Sequence, residues 1–375
     1  MRWNFGLAKL LPASVLDLAK LSGLSQVSPR RPPLPAFPRG AREDRWVDCG
    51  PHPPGGEGVQ RRVKGLWLIG VLLCFSASVR SQGLGSEALA FFPPNTQQIA
   101  YADLSQLRAL PNYKQLRQAL FTPEMRNLEG FLQSIGSDPE EDVDEVIVGW
   151  RANAMSMSAA FGIAEGNFDP SQLQNLAAKG NLPSRQYEGY TLLGYGLHET
   201  DSLYITYLGS NLAAFGKLND LERMVDDYLG RQPSLNSNSQ FVNWEAELDG
   251  SGAQWGITTG SAAAAVAAPW LGASPKAPIS LSAIFKPIKG VLYKVNWSGD
   301  FDAQISVICD DSQDTQTLDR LLLLWQSALA ATPGDSAPVN QFVRELQIST
   351  DGNRLELEGS GPPQSITDIL GGARQ

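Results

Sequence analysis

The chain is 375 residues long, 42% hydrophobic and 18% charged, with a formal net charge of −9; this is a globular composition with room for two domains, and it excludes a disordered chain. The charge is unevenly placed: residues 1–81 carry 12 Lys/Arg and 5 Asp/Glu, net +7, while residues 82–375 carry 18 and 34, net −16. An acidic body repels phosphate backbones and argues against nucleic acid as a partner, and three cysteines with two histidines leave little for zinc or Cys/His chemistry.

Residues 1–60 hold nine of the 25 prolines, with "SPRRPPLPAFPRGARE" at Ser28–Glu43, and Pro12 interrupts the apolar run Leu7–Leu21. They read as a disordered or mis-assigned extension. "RRVKGLWLIGVLLCFSASVRSQG" follows at Arg61–Gly83. Arg61, Arg62 and Lys64 precede a 12-residue apolar run, Leu66–Ala77, and small residues come next. A helix crossing a bilayer needs roughly 20 apolar residues, so 61–81 reads as a signal peptide cut after Ser78 or Ser81. Lipidation of Cys74 is disfavoured because Leu73, not a small residue, precedes it. Two explanations of the signal's internal position stay open. In one, translation starts at Val59 or Val63, a valine codon serving as an alternative bacterial start. In the other, the protein is a single-pass membrane protein that meets the membrane through 65–79. Cleavage would leave Cys309 and His198 as the last cysteine and histidine.

From Ala88 the pattern becomes regular. Gln98–Leu104 reads as a strand running into a helix at Ser105, and Leu110-Pro111 breaks that helix. Tyr113–Phe121 is helical. Thr122-Pro123 caps another helix with Leu128, Phe131, Leu132 and Ile135 on one face, closed by Gly136. Glu145–Ala152 and Met155–Ala164 alternate as strands. Asp169-Pro170 starts a helix. Strands near Tyr187–Tyr195, Leu203–Leu208 and Leu212–Phe215 precede a helix over Lys217–Leu229, ended by Gly230. Gln232–Gln240 ("QPSLNSNSQ") is linker-like. Gln254–Thr258 reads as a strand, Ser261–Ala268 as an alanine-rich helix stopped by Pro269, and Gly272–Pro278 as a second linker. Val291–Trp297 and Phe301–Cys309 alternate around Ser298-Gly299-Asp300, a long helix spans Leu318–Leu329, and Leu346–Leu357 form a hairpin turning at Asp351-Gly352. A helix at Ser365–Leu370 follows.

This strand–strand–helix unit, met about four times, predicts an α+β fold: two domains, 88–232 and 279–375, of antiparallel sheet with helices on one face, joined by a linker at 233–278.

Candidate chemistry is sparse. Gly334-Asp335-Ser336 matches a serine-protease nucleophile turn but lacks the following glycines, and His198 is the one histidine of the mature chain to serve as base. Gly83, Gly85 and Ala88 match GxGxxA without the preceding strand that a dinucleotide site needs. The acids in Asp138–Glu145 and at Asp310, Asp311 and Asp314 lack an EF-hand register and read as a solvated turn and a helix cap. Five of nine tyrosines fall in Tyr187–Tyr207, fitting strands better than a sugar-binding face. His198 falls in an exposed turn, and Cys309 reads as a small buried hydrophobe. Asn296-Trp297-Ser298 matches a glycosylation sequon placed in a strand, a poor acceptor. No catalytic, cofactor or metal residue is assigned.

Three stretches, "PPNTQQIAYADLSQLRALPNY", "GAQWGITT" with its alanine-rich sequel, and "AQISVICDDSQDTQTLDRLLLLW", resemble uncharacterised exported proteins of an acidobacterial type. The resemblance implies an exported bacterial protein and supplies no substrate. The expected function is a non-catalytic binding or scaffold module of the bacterial envelope, periplasmic or secreted, whose partner is an unknown protein or envelope component. The alternative is an exported hydrolase working through paired carboxylates.

Overall fold

The computed structural model describes residues 83–120, 123–151, 159–180, 182–195, 202–248, 252–260, 262–263, 286–297, 300–330, 342, 344–362 and 365. The strands are β1 (Gln98–Asp103), β2 (Val143–Trp150), β3 (Phe161–Gly166), β4 (Ser184–Tyr187), β5 (Tyr190–Tyr195), β6 (Leu203–Tyr207), β7 (Leu212–Lys217), β8 (Gln254–Thr259), β9 (Ile288–Asn296), β10 (Phe301–Cys309), β11 (Gln347–Asp351) and β12 (Arg354–Gly361). The helices are α1 (Leu84–Glu87), α2 (Leu104–Arg108), α3 (Tyr113–Leu120), α4 (Pro123–Ser134), α5 (Pro139–Asp142), α6 (Pro170–Lys179), α7 (Leu218–Tyr228), α8 (Ser239–Leu248) and α9 (Ser312–Ala330).

The fold is α+β. All twelve strands form one antiparallel sheet in the order β11-β12-β10-β9-β8-β1-β2-β3-β7-β6-β5-β4. The stretch expected to link two domains supplies β8, which pairs with β1 on one side (Tyr101 opposite Trp255) and with β9 on the other (Trp255 opposite Lys294). The two strand groups are therefore parts of a single sheet. The helical cover, expected on one face, lies on both. On one face, Phe131 of α4, Ile135 just beyond it and Leu173 of α6 pack on Ala164, Leu193 and Tyr207, and Leu318 and Leu322 of α9 pack on Val291, Ile305, Val307 and Leu357. On the other, Leu221 and Val225 of α7 and Phe241, Trp244 and Leu248 of α8 pack on Ile99, Ile147, Ile163, Trp255 and Leu292. The α8 face of β10 and β12 is polar, with Ser306 Oγ donating to Glu356 Oε2 at 2.6 Å and Gln304 Nε2 to Glu358 Oε1 at 3.2 Å.

Local chemistry sets the boundaries. Asp169 accepts a hydrogen bond from Ser171 N, Pro170 opens α6, and Gly180 closes it at a φ of 70°. α8 is a helix where a linker was expected: Asn238 Oδ1 accepts from Gln240 N and Phe241 N, and Phe241, Trp244 and Leu248 give it a buried stripe. The strand expected over Tyr187–Tyr195 is two strands, because Glu188 and Gly189 both take positive φ, 50° and 87°, as a type I′ two-residue turn requires. The C-terminal hairpin turns on Gly352 and Asn353, one residue later than expected, with the positive φ of 57° at Gly352. The strand expected at Met155–Ala164 is β3, Phe161–Gly166; residues 152–158 lie outside the described residues, as do most of the alanine-rich helix, the 272–278 linker and the helix at 366–370.

Candidate functional site

A row of carboxylates crosses the α8 face where the chain enters the sheet. Asp103 of β1 stands opposite Glu145 of β2, which stands opposite Glu165 of β3, so the three share one face with neighbouring Cα atoms about 5 Å apart. Each acid extends an inward apolar alternation: Ile99-x-Tyr101-x-Asp103, Ile147 then Glu145, and Phe161-x-Ile163-x-Glu165. One residue deeper on the same face, the rings of Tyr101 and Trp255 stack with centroids 5.4 Å apart.

The amino-terminal segment of the described body covers this row. Leu84 N donates to Glu165 Oε2 at 3.1 Å, and the Gly85 N–H and the Tyr101 hydroxyl donate to Glu145. The approach is close: a Cβ at Gly83 would stand 2.7 Å from Glu145 Oε1, at the tip of that side chain. Leu84, Leu89, Phe91 and Phe92 are buried, and Leu235 N donates to Phe92 O at 2.6 Å. Asp103 is turned to α2, accepting from Gln106 N at 2.9 Å and Ser105 Oγ at 2.6 Å as its N-cap.

Burial, the Glu165 charge and the Asp103 charge raise the Glu145 pKa, against the Tyr101 and Gly85 hydrogen bonds that lower it. Burial and the same three acids push the Tyr101 hydroxyl far up, so it remains a donor throughout the physiological range. Paired acids with one raised pKa can serve as general acid and base. Here the donors facing them are groups of this chain, and the arrangement fixes the amino-terminal segment to the sheet.

A second charged cluster lies on α7. The Asp227 carboxyl is fully buried, its Oδ1 3.0 Å from Arg223 Nε, and its pKa is pushed up to about 6, chiefly by burial. Around it, Arg223 Nη2 donates to Pro233 O at 2.8 Å and Tyr187 Oη to Asp226 Oδ2 at 3.1 Å. Arg151 pairs with Asp220, and Arg231 with Glu188. Tyr187 ties the β4–β5 hairpin to α7 through Asp226, and Glu188 ties it to Arg231 just beyond that helix.

The residues singled out in the sequence fall apart in space. Gly334, Asp335, Ser336 and His198 lie outside the described residues. Gly83 and Gly85 face carboxylates and an aromatic pair. Asp138 caps α5 through Glu140 N, and Asp311 caps α9 through Gln313 N and Asp314 N; Asp310 pairs with Lys289 at 3.0 Å. Of the five clustered tyrosines, Tyr204 and Tyr207 are buried on opposite faces of β6, Tyr195 packs its ring tilted against Phe131, and Tyr187 and Tyr190 pack beside α7, so they share no binding face. Cys309 is buried against α9, with its thiol pKa raised first by burial. Among the described residues no group of His, Cys, Asp or Glu is arranged to hold a metal ion, and no helix is long and apolar enough to cross a membrane. Sequence reading missed Asp103, Glu165 and Asp227. The available signal for the first two was an acid at an inward position of an alternating strand.

No protein-family model matches the chain, and no curated protein matches it. Among solved structures, crystal form I of TP0453 aligns with 10% identity and a TM-score of 0.44, covering 76% of this chain and 98% of that one. Crystal form IV aligns with 11% identity and a TM-score of 0.42, covering 75% and 95%. Similarity at that level leaves function to be argued from the chain itself.

Proposed function

We propose that the protein is an exported, non-catalytic module of the bacterial envelope that works by binding or scaffolding. The carrying observation is the junction at Gly83. The stretch with signal-peptide grammar ends there, and from Gly83 the chain runs onto the sheet, engaging Glu145 and Glu165 and placing Leu84, Leu89, Phe91 and Phe92 in the core. Cleavage after Ser78 or Ser81 leaves that packing whole. The net charge of −16 beyond residue 81 suits a soluble exported body. The use of the carboxylate row for internal hydrogen bonds supports the non-catalytic part.

The test is fractionation of the native cells with mass spectrometry of the protein's first residue. The expected result is a mature chain beginning at Val79 or Gln82 in the periplasmic fraction or the medium. A chain that begins upstream of residue 59, or that stays in alkali-washed membranes, overturns the export reading. Glycan hydrolysis by the purified protein that is lost together in E145Q and E165Q overturns the non-catalytic reading.

A further inference from the structure

We infer that the outer edge of β11, which no described strand covers, is a self-recognition surface through which two copies pair antiparallel, extending the sheet across a two-fold axis. The two sheet edges are built differently. β4 follows Pro183, carries Arg185, and has that arginine tied to Glu222 at 2.9 Å. A fixed charge is a usual protection of an edge strand, while Pro183 turns its main chain inward, its carbonyl accepting from Gly194 N at 2.7 Å. β11 reads Gln347-Ile348-Ser349-Thr350-Asp351, with one charge, at the turn, and no proline or bulge. Gln347, Ser349, Thr350 and Asp351 are exposed and Ile348 is half-buried.

The hairpin fixes which backbone groups are offered. Asp351 and Arg354 close a two-residue turn with Gly352 at its first central position, which makes them a hydrogen-bonded pair. Alternation along the strand then directs the main-chain groups of Asp351, Ser349 and Gln347 toward β12 and those of Thr350 and Ile348 outward. An antiparallel copy centred on Ser349 sets Ile348 opposite the second copy's Thr350 and Gln347 opposite its Asp351. In that register about four main-chain hydrogen bonds form and no like charges within the strands face each other.

Helix α9 supports the same geometry. Leu318 and Leu322 point into the sheet at 1% and 4% exposure. Gln326 Nε2 reaches Leu346 O, just before β11, at 2.8 Å. The flank of α9 that carries Gln326 therefore faces the outer edge, and Leu323, one turn earlier on that flank, is 45% exposed. A second copy related by the axis brings its own Leu323 and Ile348 to the same side of the sheet, continuing the apolar layer under α9. Pairing β11 with β4 of another copy would not close and would yield an open filament, against the Arg185 guard; the self-pairing closes at two copies.

The experiment is sedimentation equilibrium of the purified protein up to about 100 μM, with a dissociation constant on the order of 10 μM expected for so small an interface. T350P removes an outward N–H and leaves the β12 ladder intact, so it is expected to weaken the dimer at least tenfold with an unchanged thermal transition. L323E, away from the backbone, gives the same loss if T350P does not fold. Under mild oxidation S349C, whose side chains meet at the axis in a pair with Cα atoms about 4.5 Å apart, is expected to cross-link faster than Q347C. A protein that is monomeric at 100 μM, a dimer indifferent to both T350P and L323E, or cross-linking of Q347C at the S349C rate each overturns the proposal.

Discussion

Asp227 is the residue whose environment departs furthest from that of a free aspartate. Its carboxyl is pushed up to about 6 by burial, with Arg223 acting in the opposite sense; an unfolded aspartate titrates near about 3.9. Between those two values the folded chain keeps a proton that the unfolded chain has released. The stability from this group is therefore greatest below pH 4 and is lost as pH rises through 6. Asn at 227 keeps the shape of the protonated form. D227N is expected to be more stable than the wild type at pH 7.5, with the difference closing at about pH 3.5, below the unfolded value, as read by denaturant midpoints at the two pH values. A difference that is constant with pH places the titration elsewhere. At the amino-terminal end, E165A removes the acceptor of Leu84 N. The expected cost is about 1 kcal/mol, with faster amide exchange confined to Leu84–Phe92; exchange that is unchanged there separates the segment from the carboxylate.

Elements were legible where the cue is local. Asp169 with Pro170, Gly136, Gly230 and the alternation of Phe301–Cys309 each mark a boundary within a few residues, and each feature stands where that chemistry puts it. Asp169→Ala is expected to cost about 1 kcal/mol of stability by denaturant titration, since its side chain holds both Ser171 N and Ser171 Oγ. α8 was hidden by the polar run before it. "QPSLNSNSQ" looks like a linker, yet its Leu235 is fully buried and its Asn238 is a cap. Phe241→Ala, at a side chain with no exposure, is expected to cost about 3–5 kcal/mol. The hairpin at Glu188-Gly189 was missed because glutamate rarely takes positive φ and gives no turn signal. The carboxylate row was only half visible, since alternation shows which face an acid shares and not which strands lie side by side.

The whole molecule turns on that same gap between periodicity and pairing. Composition and pattern separate 88–232 from 279–375, and nothing local records that β8 lies between β1 and β9. One sheet with cores on both faces predicts a single cooperative unfolding transition by calorimetry. A fragment of residues 83–232 leaves β1 as a bare edge and is expected to be aggregation-prone and poorly protected from exchange. Two separated calorimetric transitions, or a folded fragment, would show two independent domains.

The central pairing also sets a clock. Tyr101 finds Trp255 only after more than 150 intervening residues have been made, so the middle of the sheet cannot form early by local contacts. Chains dominated by such distant pairings fold slowly, and until β8 arrives β1 exposes a row of unsatisfied amides and carbonyls on the side that it will cover. A nascent chain emerging from its amino terminus spends that interval with its central strand half paired, and its survival then depends on being held apart from its neighbours until the last third of the polypeptide is delivered.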